Sequence, residues 1–223
     1  MIYKCRHCGG NVVYDPDRKE MHCPYCDGTD TQDKLPGGGM ETCANCGAPI
    51  DAGDYRSAVQ CEYCGHYTIF DERVEGVYEP RLILPFKIGK NTAVKRLENE
   101  FSRRIFAPES FLAQATVEKM EGNYVPFWLY DMKAYCHYAG TGTRVRVWVS
   151  GDTEFTETSY FQVSRDMDVD FEKLPVDASL AMEDNVMDLM EPYGYEALEN
   201  FRPEYLSGFL GEIYNQDAET LEK

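Results

Sequence analysis

Eight of the nine cysteines stand in four Cys-x-x-Cys pairs: Cys5/Cys8, Cys23/Cys26, Cys43/Cys46 and Cys61/Cys64. Such a turn offers two thiolates from one tight loop, and Zn²⁺ takes four tetrahedral ligands, so the pairs are expected to combine two by two. A step of 38 residues maps Cys5 onto Cys43, Cys8 onto Cys46, Cys23 onto Cys61 and Cys26 onto Cys64. The same step maps Arg18 onto Arg56 and Tyr25 onto Tyr63. Both copies therefore read C-x2-C-x14-C-x2-C. The metal ligands expected are Cys5, Cys8, Cys23 and Cys26 in one site and Cys43, Cys46, Cys61 and Cys64 in the other, with one zinc ion in each. The same ligands would accept iron in a rubredoxin-like site, a cross-braced arrangement would share a metal between alternate pairs, and one Cys-x-x-Cys could be redox-active. The regular repeat favours two sequential, structural zinc sites.

Four thiolates close such a site, leaving no position for water or substrate, so catalysis at the metal is not expected. His7, His22 and His66 flank ligands and are read as surface or supporting residues. Cys136 stands apart and is read as an inert thiol buried in a strand.

The ligands need short elements to hold them. Glycine follows three pairs, at Gly9, Gly47 and Gly65, where a positive φ lets the backbone amides turn toward sulfur. Asp27 follows the fourth, and aspartate tolerates that region better than most residues. The 14-residue spacers fit hairpins: Asn11–Tyr14 with Arg18–His22 in the first copy, and Ala48–Ile50 with Tyr55–Gln60 in the second. A unit of about 25 residues buries too little apolar surface to fold alone, so metal binding must stabilise it. Residues 1–28 are read as zinc ribbon 1 and 29–42 as a Gly-rich linker around Pro36-Gly37-Gly38-Gly39. Residues 43–70 are read as zinc ribbon 2 and 71–80 as a connector. The linker implies that the ribbons do not form one rigid body.

From residue 81 to 215 the pattern becomes that of an α+β domain with an antiparallel sheet, and 216–223 is an acidic tail. Asn91 is a candidate N-cap for a helix to about Arg103, with Val94, Leu97, Phe101 and Ile105 on one face. A second short helix is expected over Pro108–Ala113. Tyr124–Tyr130 leading into Tyr135–Tyr138, then Arg144–Val149, Thr153–Val163 and Asp166–Glu172, read as a meander of about four strands with one wet face. Gly140 and Gly142 are expected to turn the chain, and Gly151-Asp152 suits a tight hairpin turn. Helices are expected over Ser179–Met190, near Tyr195 and over Pro203–Tyr214.

Composition narrows the function classes. Net charge is −17, and eight thiolates less two dications would add four more negative charges. Residues 177–223 hold 12 acidic and 2 basic side chains. Nucleic-acid affinity is built on Lys and Arg displacing counterions, so this balance argues against it and suits a basic protein partner. No apolar run is long enough to span a membrane, and the N-terminus lacks a signal-peptide core, which reads as cytoplasmic. No G-x-x-x-x-G-K-[ST], H-E-x-x-H or G-x-S-x-G motif is present, and His137 is the only histidine outside the ribbons; no enzyme is expected. Asp166, Asp168 and Asp170 lack the glycine of a calcium loop and fit strand alternation instead.

The two ribbons, followed by Asp71–Gly76, Leu84–Lys87, Tyr124–Asp131, Thr156–Phe161, Leu174–Asp177 and Tyr205–Leu210, resemble a family of bacterial TFIIB-type double zinc-ribbon proteins. Its members are often labelled PriA-helicase-like or RNA-polymerase-subunit-like. The resemblance covers nearly the whole chain and transfers only the eight cysteine ligands. Without an ATP-binding loop, a helicase mechanism does not follow. Relatives encoded beside phage-shock-protein-A-like and SPFH membrane proteins imply a scaffold for a membrane-associated stress assembly. Family members typically continue into C-terminal transmembrane helices, so the chain is expected to be a fragment or a shorter member, membrane-attached only through residues beyond it. A non-enzymatic interaction scaffold is thus expected; a nucleic-acid-, transcription- or replication-associated ribbon is the alternative.

Overall fold

Each Cys-x-x-Cys pair turns the chain beside a short strand. In a computed structural model, which describes all residues except 30–31, 37–40, 77–78, 105–116, 118 and 222–223, β1 (Ile2–Cys5) ends on the first ligand. Strands β2 (Val13–Asp15) and β3 (Glu20–His22) form the expected hairpin, with Val13 opposite His22, and deliver Cys23. Strand β4 (Gln32–Leu35) returns antiparallel to β1, pairing Leu35 with Ile2. In the second copy β5 (Arg56–Gln60) leads into Cys61 and pairs with β6 (Tyr67–Ile69), Ala58 lying opposite Ile69. Ala48–Ile50, expected as the partner of β5, instead contributes an isolated bridge between Pro49 and Thr42.

A short helix, α1 (Asp71–Val74), follows the second copy, and β7 (Leu82–Ile83) pairs with β11 (Glu199–Asn200). Helix α2 (Lys90–Phe101) begins one residue before the expected cap Asn91. The reason is tertiary: Asp17, in the turn between β2 and β3, accepts hydrogen bonds from the Gly89 amide at 3.2 Å and the Thr92 hydroxyl at 3.1 Å. An acceptor from another segment thus fixes the residue that opens the helix and a side chain in its first turn. The helix expected over Pro108–Ala113 lies outside the described residues. Helix α3 (Asp184–Asp188) is all that forms of the helix expected over Ser179–Met190. Pro203–Leu206 makes a 3-10 turn that ends at Ser207, whose backbone is extended, and Gly208 follows at φ 100°. Strand β12 (Leu210–Glu212) then enters a sheet, and α4 (Ala218–Leu221) lies near the C-terminus.

That sheet has the order β6-β5-β12-β8, where β8 is Asn123–Tyr124. Strand β12 runs antiparallel to β5, with Gly211 opposite Ala58, and parallel to β8. A Cβ at Gly211 would stand 2.5 Å from the Ser57 hydroxyl, so the approach of the two strands requires glycine there.

One core collects Tyr3, Cys5, Val12 and Cys23 from the first copy, Ala58 and Ile69 from the second, and Tyr205 and Leu206 from the C-terminal part. The Ile69 amide donates to the Met1 carbonyl at 2.9 Å. Contacts therefore group the chain differently from the sequential boundaries expected: one unit spans Met1–Phe127 with Asp177–Lys223, and the other is Trp128–Val176. The open edge of β5 is the physical cause, because an unpaired strand edge recruits a partner and β12 supplies it.

The second unit is one long hairpin rather than a four-stranded meander. Strands β9 (Phe127–Ser150) and β10 (Thr153–Asp177) pair with each other and meet at Gly151-Asp152, with Gly151 at φ 63°. Gly140 and Gly142 do not turn the chain. Cβ atoms there would meet the Tyr138 hydroxyl at 2.6 Å and Val163 at 3.0 Å, so the glycines lie beneath neighbouring side chains within a continuous strand. Cys136 does sit in mid-strand, but it is exposed, because no residue of this hairpin is buried.

Candidate metal centres

The four knuckles share one hydrogen-bond pattern. The amide four residues after the leading cysteine returns to that cysteine's carbonyl: Gly9 to Cys5 at 2.8 Å, Asp27 to Cys23 at 2.9 Å, Gly47 to Cys43 at 2.8 Å and Gly65 to Cys61 at 2.8 Å. The leading amide in turn reaches the carbonyl of Gly10, Gly28, Ala48 or His66. Such a closed loop forces a left-handed residue after each pair, and all four positions adopt one: φ is 72° at Gly9, 62° at Asp27, 73° at Gly47 and 69° at Gly65. Asp27 takes the strained conformation while its carboxylate holds His22 Nε2 at 2.6 Å and the Arg18 guanidinium at 3.0 Å.

The pairs converge in sequence order. Sulfurs of Cys5, Cys8, Cys23 and Cys26 form one group and those of Cys43, Cys46, Cys61 and Cys64 another, all within 4.8 Å of one another in each group. Cys5 and Cys26 lie 3.5 Å apart, Cys8 and Cys23 3.5 Å, Cys43 and Cys64 3.6 Å, and Cys46 and Cys61 3.8 Å. A tetrahedron of sulfurs about 2.3 Å from one ion has edges of about 3.8 Å, so both groups fit one ion each. The spacings are far beyond the bonded S–S distance of about 2.0 Å, and the cysteines are free thiols. This grouping excludes the cross-braced alternative.

Burial alternates with ligand position. The leading cysteines Cys5, Cys23, Cys43 and Cys61 are buried; Cys8, Cys26 and Cys46 are exposed and Cys64 is half-buried. The electrostatics alternate too. The Cys8 and His7 amides, working against burial, bring the Cys5 thiol down to about 6. Burial opposes ionisation of Cys64, yet hydrogen bonds from Asn45 and the His66 backbone carry it down to about 7. At Cys26 the Gly28 amide favours the thiolate, but the sulfurs of Cys5 and Cys8 outweigh it and push the thiol up to about 12. At Cys46 the Ala48 amide is likewise outweighed, by burial and then by the other sulfurs, and the thiol goes up to about 12. Four thiolates this close repel one another, so full ionisation of either group needs a cation at its centre.

None of the three flanking histidines joins these groups. His22 is tied to Asp27, and His66 is buried, with burial holding its imidazole below the usual range. Asn45, which sequence reasoning passed over, donates its backbone N–H to Cys43 Sγ at 3.4 Å, and its side chain supports the Cys64 thiolate. A side-chain donor inside a Cys-x-x-Cys loop was the signal for it. Among the described residues, no helix is long and apolar enough to cross a membrane.

Knuckle geometry, eight converging sulfurs and a sheet-rich chain with few helices define a protein with two four-cysteine groups, each of which could hold a metal ion. The chain is 32% identical over 233 aligned positions to the uncharacterized protein YdjG of Bacillus subtilis (strain 168), a match covering 98% of this chain and 67% of that protein. It belongs to the same family as YdjG. No protein-family model matches the chain, and no solved structure gives a significant match.

Proposed function

We propose that this chain is a non-enzymatic interaction module held together by two structural zinc ions in rubredoxin-like ribbons. Its place would be the cytosolic part of a membrane-associated, stress-related assembly. The observation that carries the interaction role is a matched pair of tyrosines. Tyr25 and Tyr63 occupy the same position of the repeat, inside the second Cys-x-x-Cys of each copy, and are 70% and 73% exposed. A tyrosine fixed on a metal knuckle presents rigid amphipathic area at low entropic cost, which is what protein contact surfaces favour. Closed four-sulfur sites favour a structural over a catalytic role for the ion. The acidic surface favours a basic protein partner, and the resemblance to TFIIB-type ribbon proteins points to the phage-shock-protein-A-like or SPFH class.

Affinity capture of the tagged chain from its host, with membrane and soluble fractions kept apart and with or without nuclease, tests this. The expected result is nuclease-resistant recovery of membrane-fraction proteins. That recovery should fall at least tenfold (about 1.4 kcal/mol) in the Tyr25→Ala/Tyr63→Ala double variant, with its metal content unchanged. Nuclease-sensitive recovery of polymerase or replication proteins would overturn it in favour of a nucleic-acid-associated role.

A further inference from the structure

Helix α3 turns one apolar face to solvent. Its turns continue past Asp188: the Met190 amide donates to the Met187 carbonyl at 3.0 Å and the Glu191 amide to the Asp188 carbonyl at 3.3 Å. Over these turns the helical period puts Val186, Leu189 and Met190 on one face, at i, i+3 and i+4. Met187 is buried and anchors the turn to its own unit. The three on the outer face are 43%, 84% and 49% exposed. A single exposed leucine is ordinary, but three large apolar side chains grouped on one turn mark a contact surface.

The charge beside this face is unpartnered too. Between Lys173 and Arg202 the chain has seven acidic residues and no lysine or arginine. Glu183, Asp188 and Glu191, on the same turns as the apolar face, are exposed, and none forms an ion pair among the described residues. Exposed acids elsewhere do find a cation: Glu100 holds Arg104 at 2.6 Å, and Asp33 holds Arg6 at 2.5 Å.

We infer that this face docks a basic amphipathic helix of a partner protein. Its apolar stripe packs on Val186, Leu189 and Met190, and its flanking Lys and Arg side chains meet Glu183, Asp188 and Glu191. Two arguments select this occupant. Side chains at i, i+3 and i+4 form a ridge, and what matches a helix ridge is the groove between the same rows of a second helix. The unpaired carboxylates reject the other candidates. A second copy would bring the same carboxylates against its own, and an anionic bilayer surface would repel them. Cations flanking an apolar stripe answer both features at once. With so short a helix on offer, the contact belongs to the small, transient class of interfaces, with a dissociation constant of about micromolar order. The inference rests on the reading of the chain as an interaction module with a basic partner, and it uses residues other than Tyr25 and Tyr63.

Fluorescence anisotropy with the zinc-loaded full chain and a labelled synthetic helix of leucine and lysine, about 18 residues long, reads the result. Binding should weaken at least tenfold in Val186→Ser/Leu189→Ser. It should weaken as much when a peptide of the same composition but without an apolar stripe replaces the probe. Glu183→Gln/Asp188→Asn/Glu191→Gln should weaken binding as well and flatten its dependence on salt. The substituted side chains are exposed, so zinc content and melting temperature should match the wild type. Tyr25→Ala/Tyr63→Ala should leave peptide binding unchanged, so this surface and the tyrosine surface stand or fall separately. Four outcomes would overturn the inference: no binding at about 100 µM, equal binding of the two peptides, equal binding by wild type and Val186→Ser/Leu189→Ser, or self-association or capture on phosphatidylserine vesicles that this variant abolishes.

Discussion

The two four-cysteine sites share a ligand pattern and a knuckle geometry but are built into the fold differently. Cys5 and Cys23 pack in the main core beside Tyr3, Tyr14 and Tyr205, so the first site is part of what the interior is made of. Cys43 and Cys61 are buried outside that core, and residues near them, Ala52, Val59 and Phe70, form a small separate cluster. The second copy reaches the core only through β5 and β6, by Ala58 and Ile69. A repeated motif therefore sets local geometry, while its surroundings decide how much of the molecule depends on it.

The largest effect should come from removing one ligand of each site. Structural zinc contributes about 10–16 kcal/mol in small ribbons, as much as the whole net stability of a typical domain. Cys23→Ser should lose one of two metal ions and unfold the unit made of Met1–Phe127 and Asp177–Lys223. Cys61→Ser should also lose one ion but melt at a higher temperature than Cys23→Ser, with the first site still loaded. Metal content and thermal melting followed by circular dichroism check both. Equal melting temperatures would erase the distinction between the sites.

A smaller effect sharpens the comparison at the knuckle backbone. A Cβ at Gly47 would meet nothing within 4 Å, so Gly47→Ala isolates the left-handed conformation and should cost about 1–2 kcal/mol in denaturant titration. The equivalent release of strain in the first copy, Asp27→Gly, trades that gain against the lost His22 and Arg18 contacts. It should change stability by less than about 0.5 kcal/mol. A large loss there would mean that the surface network carries the first site.

The smallest effect expected lies in alkali. Burial pushes Tyr67, in β6 of the second copy, up to about 12. A tyrosine whose folded pKa is raised above its unfolded value near 10 contributes fully below pH 10 and loses that contribution as pH rises toward 12. Stability should therefore decline across that window, and less steeply in Tyr67→Phe. An unchanged slope would assign the decline to other groups, Tyr3 first among them, since burial raises its pKa as well.

Local chemistry made the metal centres legible before any fold was known. The spacing of the cysteines foretold the two groups, and Gly9, Asp27, Gly47 and Gly65 foretold the backbone twist beside them. The Gly151-Asp152 turn and the alternation through Asp166–Phe171 were legible for the same reason, since both depend on a few neighbouring residues. Gly140 and Gly142 misled because glycine marks a turn and a covered strand position equally well, and only Tyr138 and Val163 lying over them distinguish the two. The start of α2 was misplaced because its acceptor, Asp17, comes from 72 residues away.

Taken by itself, then, the sequence determined how the cysteines group, the knuckle conformation and the acidic balance, all properties of short segments or of composition. Tertiary structure alone decided that β12 completes the sheet begun by β5 and that one core draws on both copies of the repeat. Pairing edges and burying side chains depend on which distant segments meet. In the sequence β5 and β12 are separated by more than a hundred residues, as Ser57 is from Glu212, and no local period records their encounter.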